Sequence, residues 1–147
     1  MNLDERAIAF IDGHPTATMT TLRADGAPHS VRVAVALVDG RLWSSGTQGR
    51  VRTGHLRRDP RCALMVFDAA FGYLSLDTRV TILDGPEAPQ HNVELFSLMQ
   101  GRLDPPPPDG TLTWMGQPKT IDEFVAIMAQ EQRLIYEFEV LGAQGIY

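Results

Sequence analysis

The chain has 147 residues, of which 44% are apolar and 21% charged. These values are ordinary for one soluble domain, and they exclude a disordered or collagen-like protein. No apolar run reaches the roughly 18 residues of a membrane-spanning helix. The formal net charge of -5 argues against a general affinity for nucleic acid or anionic lipid. We therefore expect a single domain over residues 1–147, with neither nucleic acid nor membrane as a partner.

The use of cysteine and histidine narrows the possible chemistry. The single cysteine, Cys62, excludes an intrachain disulfide and a zinc site built on clustered thiolates. It lies in the strand-like run RCALMVF, which favours a buried and unreactive thiol. The four histidines show no HxH or HxxxH spacing, so we predict no metal site. The start MNLDERAIAF carries two acids before its first apolar stretch and lacks the basic start and small-residue cleavage site of a signal peptide, so we expect a cytoplasmic protein.

The first third of the chain predicts one short helix followed by three strands: residues 3–11, 16–23, 29–38 and 41–45. The turn at residues 24–27 joins the first two strands as a hairpin, and Asp39-Gly40 leads into the third. These strands are therefore expected to pair in chain order as a meander.

The rest of the chain predicts a weak helix, two strands, two short helices and a closing strand: residues 50–59, 61–68, 73–83, 92–99, 120–130 and 133–141. A stiff loop at residues 105–108 contains four prolines. Six strands with frequent turns and only short helices predict a mainly β fold, a small β-barrel with short peripheral helices.

Positive charge is concentrated in one segment of this acidic chain. Six of its thirteen Lys and Arg residues lie between Arg41 and Arg61. The part SSGTQGRVR combines small hydroxyl residues, glycines and arginines at a strand-to-helix transition: Ser44, Ser45, Gly46, Thr47, Gly49, Arg50 and Arg52. Backbone N–H groups, hydroxyls and guanidinium groups are what a phosphate requires. The alternative is a solvated basic face paired with acids, which we expect for Arg57, Arg58 and Arg61.

Other catalytic arrangements have weaker support. No serine lies in a GxSxG turn. The acid pairs Asp4-Glu5 and Asp122-Glu123 fall in the first turns of predicted helices, where negative charge interacts favourably with the helix dipole and needs no catalytic explanation. The residues alone nominate no catalytic side chain.

The runs TATMTTLRADGAPHSVRVAVALVDGRLWSS and GRVRTGHLRRDPRCALMVFD resemble the split β-barrel flavin/deazaflavin oxidoreductases, relatives of pyridoxamine 5′-phosphate oxidase. The similarity lies in the order of the strand, the D-G turns and the G-R-x-K-x-x-N-L-x-x-D-P-R-like segment. It covers residues 16–83 well and the C-terminus more loosely. The subgroup it resembles most uses coenzyme F420.

The resemblance implies a split β-barrel of the FMN-binding type and a homodimer with cofactor sites at the subunit interface. It also implies a set of cofactor-binding residues. Arg50, Arg52 and Thr53 would bind the cofactor phosphate, with Ser44, Ser45 and His55 nearby. The ring would face the strand residues Ser30, Val31, Arg32 and Val33. Phe71, Tyr73 and Tyr147 would border the site, in part from the other subunit.

The chain departs from the family pattern at several of these positions. Arg52 stands where the family has lysine, Gly54 where a second basic residue is usual, and His55 where asparagine precedes leucine. A bulky strand sequence is replaced by Val33-Ala34-Val35-Ala36. The lost positive charge weakens the case for a polyglutamylated cofactor, although Arg32, Arg57 and Arg58 could compensate.

The resemblance leads to one expected function and two alternatives. We expect an oxidoreductase that transfers a hydride from reduced coenzyme F420 to a planar, conjugated small-molecule acceptor such as a quinone. The first alternative is an FMN-binding oxidoreductase on the same fold. The second is a non-catalytic protein that binds or sequesters a cofactor or a haem-like ligand.

Overall fold

The computed structural model describes residues 2–147. Within these residues the elements in chain order are α1 (Glu5–Gly13), β1 (Thr16–Leu22), β2 (Pro28–Ala34), β3 (Ala36–Val38), β4 (Arg41–Thr47), α2 (Val51–Arg58), β5 (Arg61–Phe67), β6 (Tyr73–Leu83), α3 (Ala88–Gly101), β7 (Thr111–Trp114), β8 (Gln117–Thr120), α4 (Ile121–Gln130) and β9 (Arg133–Ile146). Asp4 caps α1 by accepting from the Ala7 N–H, and Thr120 with Glu123 forms the predicted capping box of α4.

Seven strands form one curled antiparallel sheet in the order β2-β1-β5-β6-β9-β4-β3. Its two edge strands, β2 and β3, follow each other in the chain and are separated by Val35 alone. The Ser44 hydroxyl on β4 donates to the Ala34 carbonyl oxygen at the end of β2 over 2.7 Å. The sheet therefore curls until its two ends approach, and the prediction of a mainly β barrel with short peripheral helices is confirmed.

Both predicted pairings of the meander form, but its middle strand is broken. The segment 16–22 pairs with 28–34, and 36–38 pairs with 41–43, so β4 has β3 and β9 as neighbours and not β2. The predicted strand 29–38 is split at Val35, whose N–H still bonds the Pro15 carbonyl before the chain crosses to the opposite edge. The curl of the sheet brings its edge strands β2 and β3 close together, although no backbone ladder pairs them.

The inner face of the sheet carries the main core. Alternate residues on the seven strands point inward, and Leu56 of α2 together with Ala7 and Ile11 of α1 closes the ends. Cys62 belongs to this core with 5% exposure, and burial raises the pKa of its thiol to about 12. The predicted buried and unreactive cysteine is confirmed.

The outer face is covered over one half only. Leu95 of α3 packs on outward side chains of β3, β4 and β9, namely Ala36, Trp43 and Ile135. The β7–β8 hairpin and α4 enclose a further small cluster with α3. The other half, on β2, β1, β5 and β6, stays exposed or half-exposed and carries Thr18, Thr20, Ser30, Arg32, Ala63, Met65 and Ser75. No helix in the described part of the chain is long and apolar enough to cross a membrane.

Candidate functional site

The site begins where β4 ends and α2 begins. Arg50 precedes the helix in extended conformation, and its backbone N–H bonds the Thr47 carbonyl at 3.3 Å. Among the described residues no side chain caps this end of α2. The first N–H groups of a helix lack intrahelical acceptors and carry the positive end of the helix dipole. This end of α2 therefore favours a bound anion.

Arg52 lies in the first turn of α2 with an unusual environment. Its guanidinium carbon is 5.5 Å from the ring centroid of Tyr136, and its buried Nε has no hydrogen-bond partner within residues 2–147. Burial lowers the pKa of Arg52, Tyr136 offsets part of this effect, and the positive charges of Arg50 and Arg133 lower the pKa further. A buried donor without an acceptor is costly, so an anion beside Arg52 would both satisfy the donor and relieve the repulsion.

Arg133 is a member of this arginine cluster that the sequence did not reveal. It opens β9 opposite Thr47, and its Nε donates to Glu131 Oε1 over 3.0 Å. Its guanidinium lies 5.0 Å from the ring centroid of Trp114, in cation–π geometry. The register of β4 and β9 brings Arg133 close to residues some eighty positions earlier, and no local motif marks it. We call Arg50, Arg52 and Arg133 the arginine cluster.

The neighbouring hydroxyl groups serve the architecture. Thr53 is fully buried and donates to the Thr47 carbonyl over 2.7 Å, while Ser44 bonds Ala34. Ser45 donates to Asn92 Oδ1 of α3 over 2.6 Å. Each of these hydroxyls is already engaged as a donor within the protein, and the assignment of Ser44, Ser45 and Thr53 to cofactor binding stays a prediction.

Gly46, predicted as a phosphate-loop glycine, is buried and serves packing. A Cβ at this position would overlap the Tyr136 ring, which lies against the Gly46 backbone. Gly49, by contrast, has open space around it among the described residues. Of the two glycines in the predicted loop, only Gly49 leaves the backbone beside it accessible.

His55 lies one turn after Arg52 in α2, and its buried side chain closes one end of the barrel. Its Nδ1 is 2.9 Å from the Thr21 hydroxyl oxygen, and its ring meets the edge of His29 with centroids 5.2 Å apart. Burial lowers the pKa of His55, and the nearby charges of His29, Arg58 and Arg23 lower it further. His55 is thus held neutral and contributes packing and a hydrogen bond.

The four predicted residues of β2 fall into two pairs. Val31 and Val33 turn their side chains to the inner face, away from Ser30 and Arg32, and their assignment to the cofactor ring stays a prediction. The Val35 N–H to Pro15 bond sets the alternation of the antiparallel ladder, so the backbone groups of Val31 and Val33 point toward β1. The backbone groups of Ser30 and Arg32 point toward the unpaired edge of β2, and their side chains lie on the outer face. Ser30 and Arg32 are therefore the accessible pair.

The remaining basic residues are placed as predicted, on the exterior. Arg57 pairs with Asp84 at 2.9 Å, and Arg58 donates to the Leu22 carbonyl at 2.7 Å. Arg61 pairs with Asp59 at 2.8 Å, and this hydrogen-bonded contact lowers the pKa of Asp59 to about 2. The interpretation of these three arginines as an exterior basic face is confirmed.

The predicted aromatic border is spread over one end of the sheet. Phe71, in the β5–β6 turn, is 91% exposed, and Tyr73 is half-exposed on the outer face. Tyr147 packs against Phe10 of α1, and its backbone oxygen accepts from Arg6. A groove of about 420 Å³ runs between the end of α1 and Arg32, lined also by Phe67 and Asp68. Within residues 2–147 the structure brings none of the three aromatics to the arginine cluster.

Comparison with known proteins assigns the fold. Residues 3–111 match the family model described as pyridoxamine 5′-phosphate oxidase. A conserved hypothetical protein of Mycobacterium tuberculosis, Rv2991, is similar in structure, with TM-score 0.72 and 20% identity over 98% of this chain and 84% of the other. An F420 reductase has TM-score 0.66 and 19% identity over 97% and 98%. HutZ, the haem storage protein of Vibrio cholerae, has TM-score 0.66 and 12% identity over 99% and 95%. No curated protein sequence matches the chain.

Proposed function

Because the chain belongs to the pyridoxamine 5′-phosphate oxidase family, we propose that it is an oxidoreductase that holds a flavin-type cofactor, coenzyme F420, by its phosphate. The observation that carries the proposal is the buried Arg52 Nε without an acceptor, next to Arg50 and Arg133. Arg50 and Arg133, the latter paired with Glu131 at 3.0 Å, lower the pKa of Arg52, and a phosphate would offset this repulsion.

The residues present fit a phosphate attached to a flat ring system. Arg50, Arg52 and the first N–H groups of α2 would hold the phosphate, and Arg133 would add charge on the β9 side. From there the open edge of β2 presents the backbone groups of Ser30 and Arg32. An edge strand pairs readily with a planar group that carries its own donors and acceptors. This combination supports a phosphorylated flavin or deazaflavin over a simple anion.

A deazaflavin bound here would supply hydride transfer to a planar conjugated acceptor. The protein would bind the phosphate at the arginine cluster, orient the ring along β2 and exclude water from its covered side. Solvent can protonate the reduced product, so the proposal requires no acidic side chain. The similarity to an F420 reductase over most of both chains supports this version of the proposal.

Two alternatives share the site. FMN carries the same ribityl phosphate, and the match to the pyridoxamine 5′-phosphate oxidase family supports it equally well. Non-catalytic binding of a cofactor or haem-like ligand is supported by the similarity to a haem storage protein. The plain strand segment around Val33 and Ala34 also suits a binding role, since it adds no reactive side chain.

We also propose that a second copy of the chain covers the exposed half of the outer face. Met65 at 39% exposure, Leu141 at 50% and Ile146 at 67% lie on this side of the sheet, among small residues such as Ala63. Exposed apolar side chains among small residues on one face of a sheet are typical of an interface between subunits. Sedimentation equilibrium should give about twice the 16.2 kDa chain mass, and a monomer mass would contradict the proposal.

The experiment that tests the function is a titration of the purified protein with coenzyme F420 and, separately, with FMN, read by tryptophan fluorescence. Trp114 stacks on Arg133 of the arginine cluster, whereas Trp43 is buried and bonds Glu137. We expect quenching of Trp114, and a Trp114→Phe variant should remove most of the signal while Trp43→Phe retains it.

Preference for F420, followed by oxidation of reduced F420 in the presence of a quinone, would support the reductase. Preference for FMN would move the protein to the flavin-dependent alternative. Tight binding without turnover of any conjugated acceptor would favour a sequestering protein, and failure to bind either cofactor would overturn the proposed site.

A further inference from the structure

We infer that Tyr136 is a positioning residue that aligns Arg52 and so makes the site selective for a phosphorylated ligand over its dephosphorylated form. This inference rests on the proposed function, because it concerns the same anion site. It assigns a role to a fully buried tyrosine of β9 that lies 84 positions after Arg52 in the sequence.

The Tyr136 ring supports the Arg52 guanidinium from below. The guanidinium carbon lies 5.5 Å from the ring centroid, a cation–π distance. The ring reaches this position because residue 46 on β4 is glycine, and any side chain there would occupy the same space. Two residues on neighbouring strands are thus adapted to place an aromatic ring beneath one arginine.

The Tyr136 hydroxyl fixes the helix turn that carries Arg52. It donates to the Thr53 hydroxyl oxygen over 2.5 Å, and Thr53 in turn donates to the Thr47 carbonyl over 2.7 Å. This relay ties β9, the first turn of α2 and the end of β4 together. Since Arg52 immediately precedes Thr53, the relay restricts the direction in which the guanidinium can point.

A purely structural role explains less of this arrangement. Phenylalanine or leucine could fill the core beneath α2 without burying a hydroxyl that needs a partner. Arg52 itself is held half-buried with Nε unsatisfied among the described residues, which costs stability. An orientation maintained at such a cost is expected where a ligand completes the hydrogen bonding.

The test compares FMN with riboflavin, which has the same ring and lacks the phosphate. Tyr136→Phe keeps the ring and removes the relay. We expect it to weaken FMN binding about tenfold, the effect of one hydrogen bond to a charged group, and to leave riboflavin binding unchanged. In an Arg52→Met background the same change should have no further effect on FMN. If the protein selects the deazaflavin, F420 and the corresponding ribityl deazaflavin without the phosphate form the equivalent pair.

Two further variants guard against loss of folding. Ile135→Val changes the adjacent β9 residue, which faces α3, and controls for a general loss of stability. Thr53→Val severs the relay from the other end and should reproduce the FMN-specific loss.

The outcomes separate the two levels of the proposal. If the wild type binds FMN and riboflavin equally, the phosphate site is absent, and both the proposed function and the inference are wrong. A different result would contradict the inference alone. The wild type would bind FMN more tightly than riboflavin, while Tyr136→Phe and Thr53→Val would either keep that preference or lose the binding of both ligands together.

Discussion

The Ser44 hydroxyl lies 2.7 Å from the Ala34 carbonyl oxygen and joins β4 to the end of β2. The two strands are not neighbours in the ladder, so this side-chain bond stands where backbone pairing between them would be expected in a closed barrel. Ser44 is 1% exposed, so the donor end of this bond is buried. The bond therefore holds the two ends of the curled sheet together.

We expect Ser44→Ala to lower the free energy of unfolding by about 1 kcal/mol, because it removes the hydrogen bond between the two ends of the sheet. Urea denaturation followed by fluorescence measures the change. Ser75→Ala, at a half-exposed position on the outer face of β6, is the control and should shift stability by less than about 0.5 kcal/mol. Equal shifts in the two variants would show that the bond does not hold the sheet ends.

Two glycines near the site should respond in opposite directions to alanine. Gly46→Ala places a methyl group in the Tyr136 ring, and we expect a loss of about 2 kcal/mol or more from overpacking. Gly54 lies exposed inside α2, with open space around it among residues 2–147, and Gly54→Ala should raise stability by up to about 1 kcal/mol. Thermal unfolding of both variants is the measurement, and destabilisation by Gly54→Ala would contradict the helix-propensity argument.

His55 should make stability depend on pH below neutrality. Because burial lowers the pKa of His55 in the folded protein from the ordinary value of 6.5, the unfolded chain binds this proton more readily. The stabilisation is fully present above the unfolded pKa. It falls as pH drops below about 6.5 and levels off beneath the folded pKa.

Urea denaturation between pH 7.5 and pH 5 should show this decrease in the wild type and a shallower one in His55→Gln. The glutamine can still bond the Thr21 hydroxyl but cannot take up a proton. Parallel curves for the two proteins would show that His55 does not carry the dependence.

The elements with clear periodicity could be predicted from the sequence. Residues 61–68 and 73–83 alternate regularly and form β5 and β6 within one residue of the predicted ends. Pairing order could not be predicted in the same way. Local alternation shows that a segment is a strand, whereas the crossing from β2 to β3 depends on how the whole sheet curls.

The missed β7–β8 hairpin shows another limit. Its strands have four residues each, β8 contains Pro118, and the turn is made by Met115 and Gly116, both with positive φ. A methionine at the first of these positions is unusual for a type I′-like turn, so no familiar turn signal was present. Similarly, β9 runs to Ile146 although glycines after Leu141 interrupt the alternation, because β6 pairs with it along its length.

The sequence identified the segment that forms the candidate site but did not show which of its polar groups are free to bind a ligand. Arg50 and Arg52 stood out by composition, and the structure places them at the start of α2. The engagement of the hydroxyl groups depends on contacts between distant strands, and so does the arrival of Arg133. Composition cannot show whether a polar group is already satisfied by the fold.

The role of Arg52 can be measured against an arginine on the same helix. We expect Arg52→Ala to weaken FMN or F420 binding by about 1.5–3 kcal/mol, the contribution of hydrogen bonds to a charged group. Arg57→Ala is the matched control, since Arg57 is exposed and pairs with Asp84 in the last turn of α2. It removes the same charge from the same helix and should cost only a few tenths of a kcal/mol, which added salt would screen. Equal losses in the two variants would indicate general attraction to a basic helix, whereas unchanged affinity in Arg52→Ala would place the phosphate elsewhere.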